Sequence, residues 1–210
     1  MGPVIEARQE IRQLIENWAL WRDSGDWERF ATVWHDDGRM EATWFQGTAT
    51  EFIAANRRGW ERGVTILHLL GGSSIDVVGT RAIGQTKMQI HQRAAVHDVS
   101  CDVVCTGRFY DFFEHRDGRW GLVWRQPIYE KDRIDPVDPA AVLSLDEDLL
   151  GRFPEGYRHL AYLQTLLGYE VVAGMPGLRG PEVADLYARG REWLAGSTGH
   201  PAGVHAGSPA

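Results

Sequence analysis

The sequence predicts an α+β fold: helices first, then a strongly curved, mostly antiparallel sheet, then a helical extension. Two observations carry that prediction. Apolar residues recur at helical spacing in the opening segment, whereas from Thr65 onward the runs are rich in β-branched and aromatic side chains. The later runs are also long, and long strands in sequence favour a curved sheet with helices covering one face. At 210 residues, with 43% hydrophobic and 24% charged residues, the chain has an ordinary globular mix and can bury a sizeable core.

Ile5, Ile11, Leu14, Ile15, Trp18 and Ala19 mark a first helix over residues 4–22. It breaks at Asp23-Ser24-Gly25-Asp26, where Ser, Gly and Asp favour a turn. Asp26 then caps a short helix from Trp27 to Trp34. A strand follows over Gly38 to Phe45, and Thr50 is placed to cap a helix reaching Arg62. Five strand runs come next: Ile66–Leu70, Ser74–Val78, Ala82–Val96, Val99–Phe113 and Trp120–Tyr129. Gly71-Gly72 separates the first two, and Arg116-Asp117-Gly118 is a hairpin signal before the last.

The composition shifts at Asp135-Pro136-Val137-Asp138-Pro139, which reads as chain leaving the sheet. Residues 1–135 therefore form the main domain and 136–196 an extension, with amphipathic helices at Glu155–Leu167 and Pro181–Leu194. The extension is suited to capping a pocket or building a subunit interface. Residues 197–210 hold Gly, Ser, Pro, Ala and His without an aromatic, a composition that predicts disorder.

A net charge of −7 and the lack of a basic stripe argue against nucleic acid as a partner. No apolar run approaches the ~20 residues that cross a bilayer. The opening MGPVIEARQE is charged where a signal peptide needs an apolar stretch, and its sixth residue does not suit myristoylation, so a cytoplasmic protein is expected. Cys101 and Cys105, on one strand, lie roughly 13 Å apart and read as buried thiols rather than a disulfide. The nine Trp suit core packing or an aromatic-lined cavity.

Eight His are present, and their settings differ. His200 and His205 in the tail and His35 at a helix end read as solvated bystanders; His115, beside the hairpin turn, reads as exposed. His97 lies near a strand end and His159 in the extension. His68 stands inside Ile66-Leu67-His68-Leu69-Leu70, where an imidazole must find a partner. His91 sits comparably in Met88-Gln89-Ile90-His91 on what reads as a neighbouring strand. A buried His serving as base near neutral pH needs a carboxylate to fix its tautomer. Asp23 is the candidate, because Asp26 already serves as the conventional cap. A zinc site on His68, His91 and an acid is a rival, although no ligand pair has the short spacing such sites show.

Trp18-Ala19-x-x-x-Asp23-Ser24-x-Asp26-Trp27, His68-x-x-Gly71-Gly72, His91-Gln92-Arg93 and Asp117-Gly118-x-Trp120 together resemble segments of scytalone dehydratase, in order and approximate spacing. The resemblance spans about residues 5–130 and extends to the SnoaL-like family of the nuclear transport factor 2-like superfamily. It implies a cone-shaped α+β barrel with a hydrophobic pocket, no cofactor, and assembly as a homodimer or homotrimer. It also implies roles: Asp23 as the orienting carboxylate, His68 as the base and His91 as a second acid–base group. Where the fungal dehydratase carries substrate-reading residues, this chain has Arg22, the Ala42-Thr43-Trp44 segment, Gly107 and Phe109. Arg22, Trp44, Phe109, Trp124 and Tyr129 are accordingly the expected substrate contacts, and scytalone itself is not the expected substrate.

The resulting expectation is a cofactor-independent lyase that removes water or formaldehyde from an aromatic small molecule. The alternatives are an isomerase or cyclase of a polyketide-like substrate, and a non-catalytic ligand-binding module.

Overall fold

The computed structural model describes residues 2–202. Helix α1 (Pro3–Ser24) buries Ala7, Ile11, Ile15, Trp18, Ala19 and Arg22, a stripe with the spacing of one helical face. Gly25 ends it in the left-handed region at φ 74°, a conformation that costs glycine little. In α2 (Trp27–Thr32) the Asp26 side chain accepts from the Arg29 N–H, the cap the sequence predicts.

The next cap falls elsewhere than expected. Thr48, not Thr50, opens α3 (Ala49–Glu61), because Thr48 and Glu51 close a reciprocal capping box and Thr50 already lies in the first turn.

The strands β1 (Trp34–Ala42), β2 (Phe45–Thr48), β3 (Ile66–Val78), β4 (Arg81–Val96), β5 (Val99–Arg116) and β6 (Arg119–Pro136) form one curved sheet in the order β2-β1-β6-β5-β4-β3. The sheet stays open, since β2 and β3 are its two edges. All pairings are antiparallel except β1 with β6. The two runs expected on either side of Gly71-Gly72 are one strand, interrupted where the register shifts between Leu70 and Ser73. There two residues of β3 face one of β4, a bulge that glycine accommodates.

Two apolar layers flank the sheet. One lies among α1, α2, α3 and the sheet, and takes in Tyr157, Leu160, Ala161, Tyr162 and Leu163 of the extension. The short α4 (Glu147–Leu150) leads into α5 (Arg158–Leu166), which contributes most of those side chains. The other layer lies under α6 (Pro181–Leu194) and packs Phe112, Val123, Trp124 and Ile128 against Val183, Leu186 and Trp193. Of the residues expected to be disordered, 197–202 lie in the described part, where Ser197, Thr198 and Gly199 are exposed. Ala202 is buried in this second layer, and Arg81 Nη1 donates to Trp193 O and Ser197 O at 3.1 and 2.8 Å. The remainder of the expected tail, with His205, lies outside the described residues.

Candidate active site

The last turn of α1 and the start of β3 meet at one contact. Asp23 Oδ1 lies 2.8 Å from His68 Nδ1, and Oδ2 accepts the His68 backbone N–H. With both carboxylate oxygens engaged, the imidazole is held with its proton on Nδ1, leaving Nε2 as the basic nitrogen. Trp18 meets the ring edge-on with centroids 5.1 Å apart, and Phe109 lies at 6.0 Å.

Burial is the largest influence on His68, and it depresses the basicity of the ring. Asp23 partly offsets this, while the positive charges of Arg22 and Arg125 reinforce it. Burial pushes Asp23 in the opposite direction, but the His68 contacts and the Arg22 charge outweigh it and hold the carboxyl below its usual range. At neutral pH the pair is therefore a carboxylate beside a neutral imidazole, the state a general base needs.

His68 lines an inner chamber with Trp18, Met40, Phe52, Ile90, Phe109 and Tyr129. The space between atoms there is about 440 Å³, counting the solvent at its mouth, whereas the part open to the centre of a water molecule is about 30 Å³. An outer vestibule lined by Trp27, Trp60 and Tyr169 adjoins it, and the two share Arg22, Trp44, Ile66, Gln92 and Gln164. Arg22 is fixed at this junction: Nη2 donates to Asn56 Oδ1 at 2.7 Å, and Nη1 to Asp23 Oδ1 and Ile66 O at 3.2 Å. Helix α5 closes the chamber with Leu160 and Gln164, whose Oε1 accepts from Thr43 Oγ1 at 2.7 Å.

Of the residues singled out in the sequence, Asp23, His68, Arg22, Trp44, Phe109 and Tyr129 meet here. Two do not. His91 faces away: Ile90 is the residue opposite His68, so His91 points to the other side of β4, where its Nε2 contacts Gln89 Oε1 at 3.1 Å. Trp124 belongs to the second apolar layer, packed on Phe112 at 4.7 Å beneath α6, on the face away from the chamber.

The other histidines also differ from expectation. His35 lies in β1, is buried, and contacts Glu114 O through Nε2 at 2.8 Å. His115 is half-buried against Trp120, and His200 Nδ1 accepts from the Ala202 N–H. Cys101 and Cys105 are both buried free thiols. Among the described residues no three His, Cys, Asp or Glu side chains cluster as metal ligands, and no helix is long and apolar enough to cross a membrane.

Sequence reasoning missed several participants. Gln92 and Gln164 line the junction of the two spaces. Arg125 is wholly buried, doubly bonded to Asp111 at 2.7 Å, and stacks on Phe109 and Trp18 with its guanidinium carbon 3.9 and 4.2 Å from the ring centres. Its signal was the alternation of β6, which puts Arg125, Pro127 and Tyr129 on one face and Trp124 and Ile128 on the other.

An open curved sheet covered by helices, with an Asp–His pair facing a small chamber, defines an α+β pocket-bearing domain. Residues 3–126 match the SnoaL-like domain, and the chain belongs to that family. A curated relative, pea pathogenicity protein 2 of Fusarium vanettenii, is 38% identical over 200 residues, covering 90% of this chain and 86% of its own. Among solved structures, hexachlorocyclohexane dehydrochlorinase LinA type 2 matches with a TM-score of 0.55 and 13% identity, over 67% of this chain and 95% of its own. A protein described as a putative scytalone dehydratase from Novosphingobium aromaticivorans matches with a TM-score of 0.52 and 18% identity, over 67% and 97%. At these identities the two structures bear on the fold alone.

Proposed function

We propose that the protein is a cofactor-independent lyase acting on a compact aromatic small molecule, with His68 as the general base. The observation that carries this is the 2.8 Å contact between His68 Nδ1 and Asp23 inside the chamber. Nε2 takes a proton from a carbon made acidic by a neighbouring electron-withdrawing group. The electrons form a carbon–carbon double bond as the carbon–oxygen bond breaks, and water departs once the leaving oxygen gains a proton. Alternatively the same base deprotonates the alcohol of a hydroxymethyl group: the carbon–oxygen double bond of formaldehyde forms as the adjoining carbon–carbon bond breaks, the released electron pair passes into the neighbouring electron-withdrawing group, and the carbon left behind takes back the proton from His68.

In place of His91, Tyr129 is the proton donor to the leaving oxygen. Burial pushes its hydroxyl well above the ordinary phenol value, so it stays protonated, and its oxygen accepts from Thr43 N at 3.4 Å.

One observation favours a second reading. Among the described residues lining the chamber, His68 is the one histidine once His91 is excluded, and an isomerase or cyclase needs only one base and no leaving group. The test is a panel of aryl alcohols and aryl ketones incubated with wild type and His68→Ala, with product, formaldehyde and hydration state followed by mass spectrometry. The lyase reading expects His68-dependent release of water or formaldehyde. Conversion without mass loss supports the isomerase, and equal conversion by wild type and His68→Ala sinks both.

A further inference from the structure

Gln92 combines three properties seldom found together. The residue is 3% exposed, it borders both the vestibule and the inner chamber, and its Oε1 is buried without a hydrogen-bond partner. A buried amide oxygen in that state destabilises the fold, since it gives up water and gains no bond in return. Trp18 lines the same chamber, and its Nε1–H is likewise buried and unpartnered. The chamber wall is thus short of both a donor and an acceptor. A ligand hydroxyl supplies both, since it donates one hydrogen bond and accepts through its lone pairs.

We propose that Gln92 is the specificity-determining residue of the chamber and that it selects aromatic ligands bearing a free hydroxyl. A site built to hydrogen-bond a hydroxyl rejects analogues lacking it, because its own polar groups are then left unpaired. The position of Gln92 at the junction places this selection on the way to His68. Bulge geometry put it there: on β4, Ile90 and Gln92 share the face of His68, and His91 does not.

The inference rests on the chamber being the substrate site, and its test reads equilibrium binding rather than turnover, so it fails or stands separately from the assignment of His68 as base. Phenol, anisole and toluene serve as probes, with affinities from tryptophan fluorescence titration of the full chain. Wild type should bind phenol at least about tenfold more tightly than anisole or toluene. Gln92→Met, close in volume and without the amide, should bring the phenol-to-anisole ratio near one, leave toluene binding unchanged, and melt no lower than wild type. Should that variant not fold, Gln92→Asn, with its amide drawn back by one carbon, must lose the preference as well. Equal affinities in wild type, a preference that survives Gln92→Met, or one abolished by His68→Ala and not by Gln92→Met would overturn the assignment.

Discussion

Among the described residues, two Asp–His pairs have nearly the same geometry. In each, histidine Nδ1 lies 2.8 Å from an aspartate oxygen: His68 with Asp23, and His159 with Asp132. In each, the second carboxylate oxygen accepts a backbone N–H, from His68 itself in one pair and from Leu160 in the other. Their surroundings separate them. The His68 ring faces a chamber walled by Trp18, Phe109 and Tyr129. The second pair joins β6 to the start of α5, a helix whose own capping residue, Tyr157, offers no side-chain bond. Asp132 supplies that missing cap, which fastens the helix carrying Leu160 and Gln164 over the chamber. An Asp–His contact is therefore not a site in itself; the space left beside the second nitrogen decides its use.

Substitutions can break this comparison. The largest effect is expected from His68→Ala, which should lower turnover by about 10²–10⁴-fold while the fold persists, measured as initial rates beside a circular dichroism melt. Asp23→Asn should follow at roughly 10²-fold, because an amide cannot accept from both the His68 backbone and its ring and so leaves the tautomer unfixed.

Asp132→Ala is expected to act on a different axis. It leaves the Leu160 N–H and the His159 ring without their acceptor, at about 1–3 kcal/mol of stability, seen as a melting temperature several degrees lower. If Asp132→Ala lowered turnover as severely as Asp23→Asn at a temperature where both are folded, the distinction between the pairs would collapse. His91→Ala should change turnover less than about twofold, since its ring lies on the outer side of β4. A hundredfold loss there would restore it as an acid–base residue.

What the sequence disclosed and what it hid divide along a physical line. Local signals were legible: the stripe of α1, the Asp26 cap, the strand runs, and a histidine in an apolar run with a carboxylate at a helix end. Facing was not, because it depends on register. The Gly79-Thr80 turn sets Val78 opposite Arg81 and Ser73 opposite Thr86, and that register, continued unbroken, would bring His68 opposite His91. The extra residue at Gly71-Gly72 slips the pairing by one, so that Ile90 takes that place and His91 turns outward. Trp124 escaped for a related reason. It and Tyr129, five residues apart on β6, fall on opposite faces of the sheet. Arg125, Gln92 and Gln164 became visible only when three separate segments closed on one space.

The central claim is that His68 stands as a neutral imidazole with its proton on Nδ1 and Nε2 free to act as base. Nitrogen-15 NMR of the histidine side chains across a pH titration reads this directly, without a substrate. The account predicts an Nδ1–H tautomer for His68 at pH 7 and a protonation midpoint below 6.5, because burial disfavours the charged ring. The same shift makes the unfolded chain take up the proton first, so stability should fall as the pH drops below about 6.5. A His68 ring protonated at pH 7, or carrying its proton on Nε2, would contradict the account.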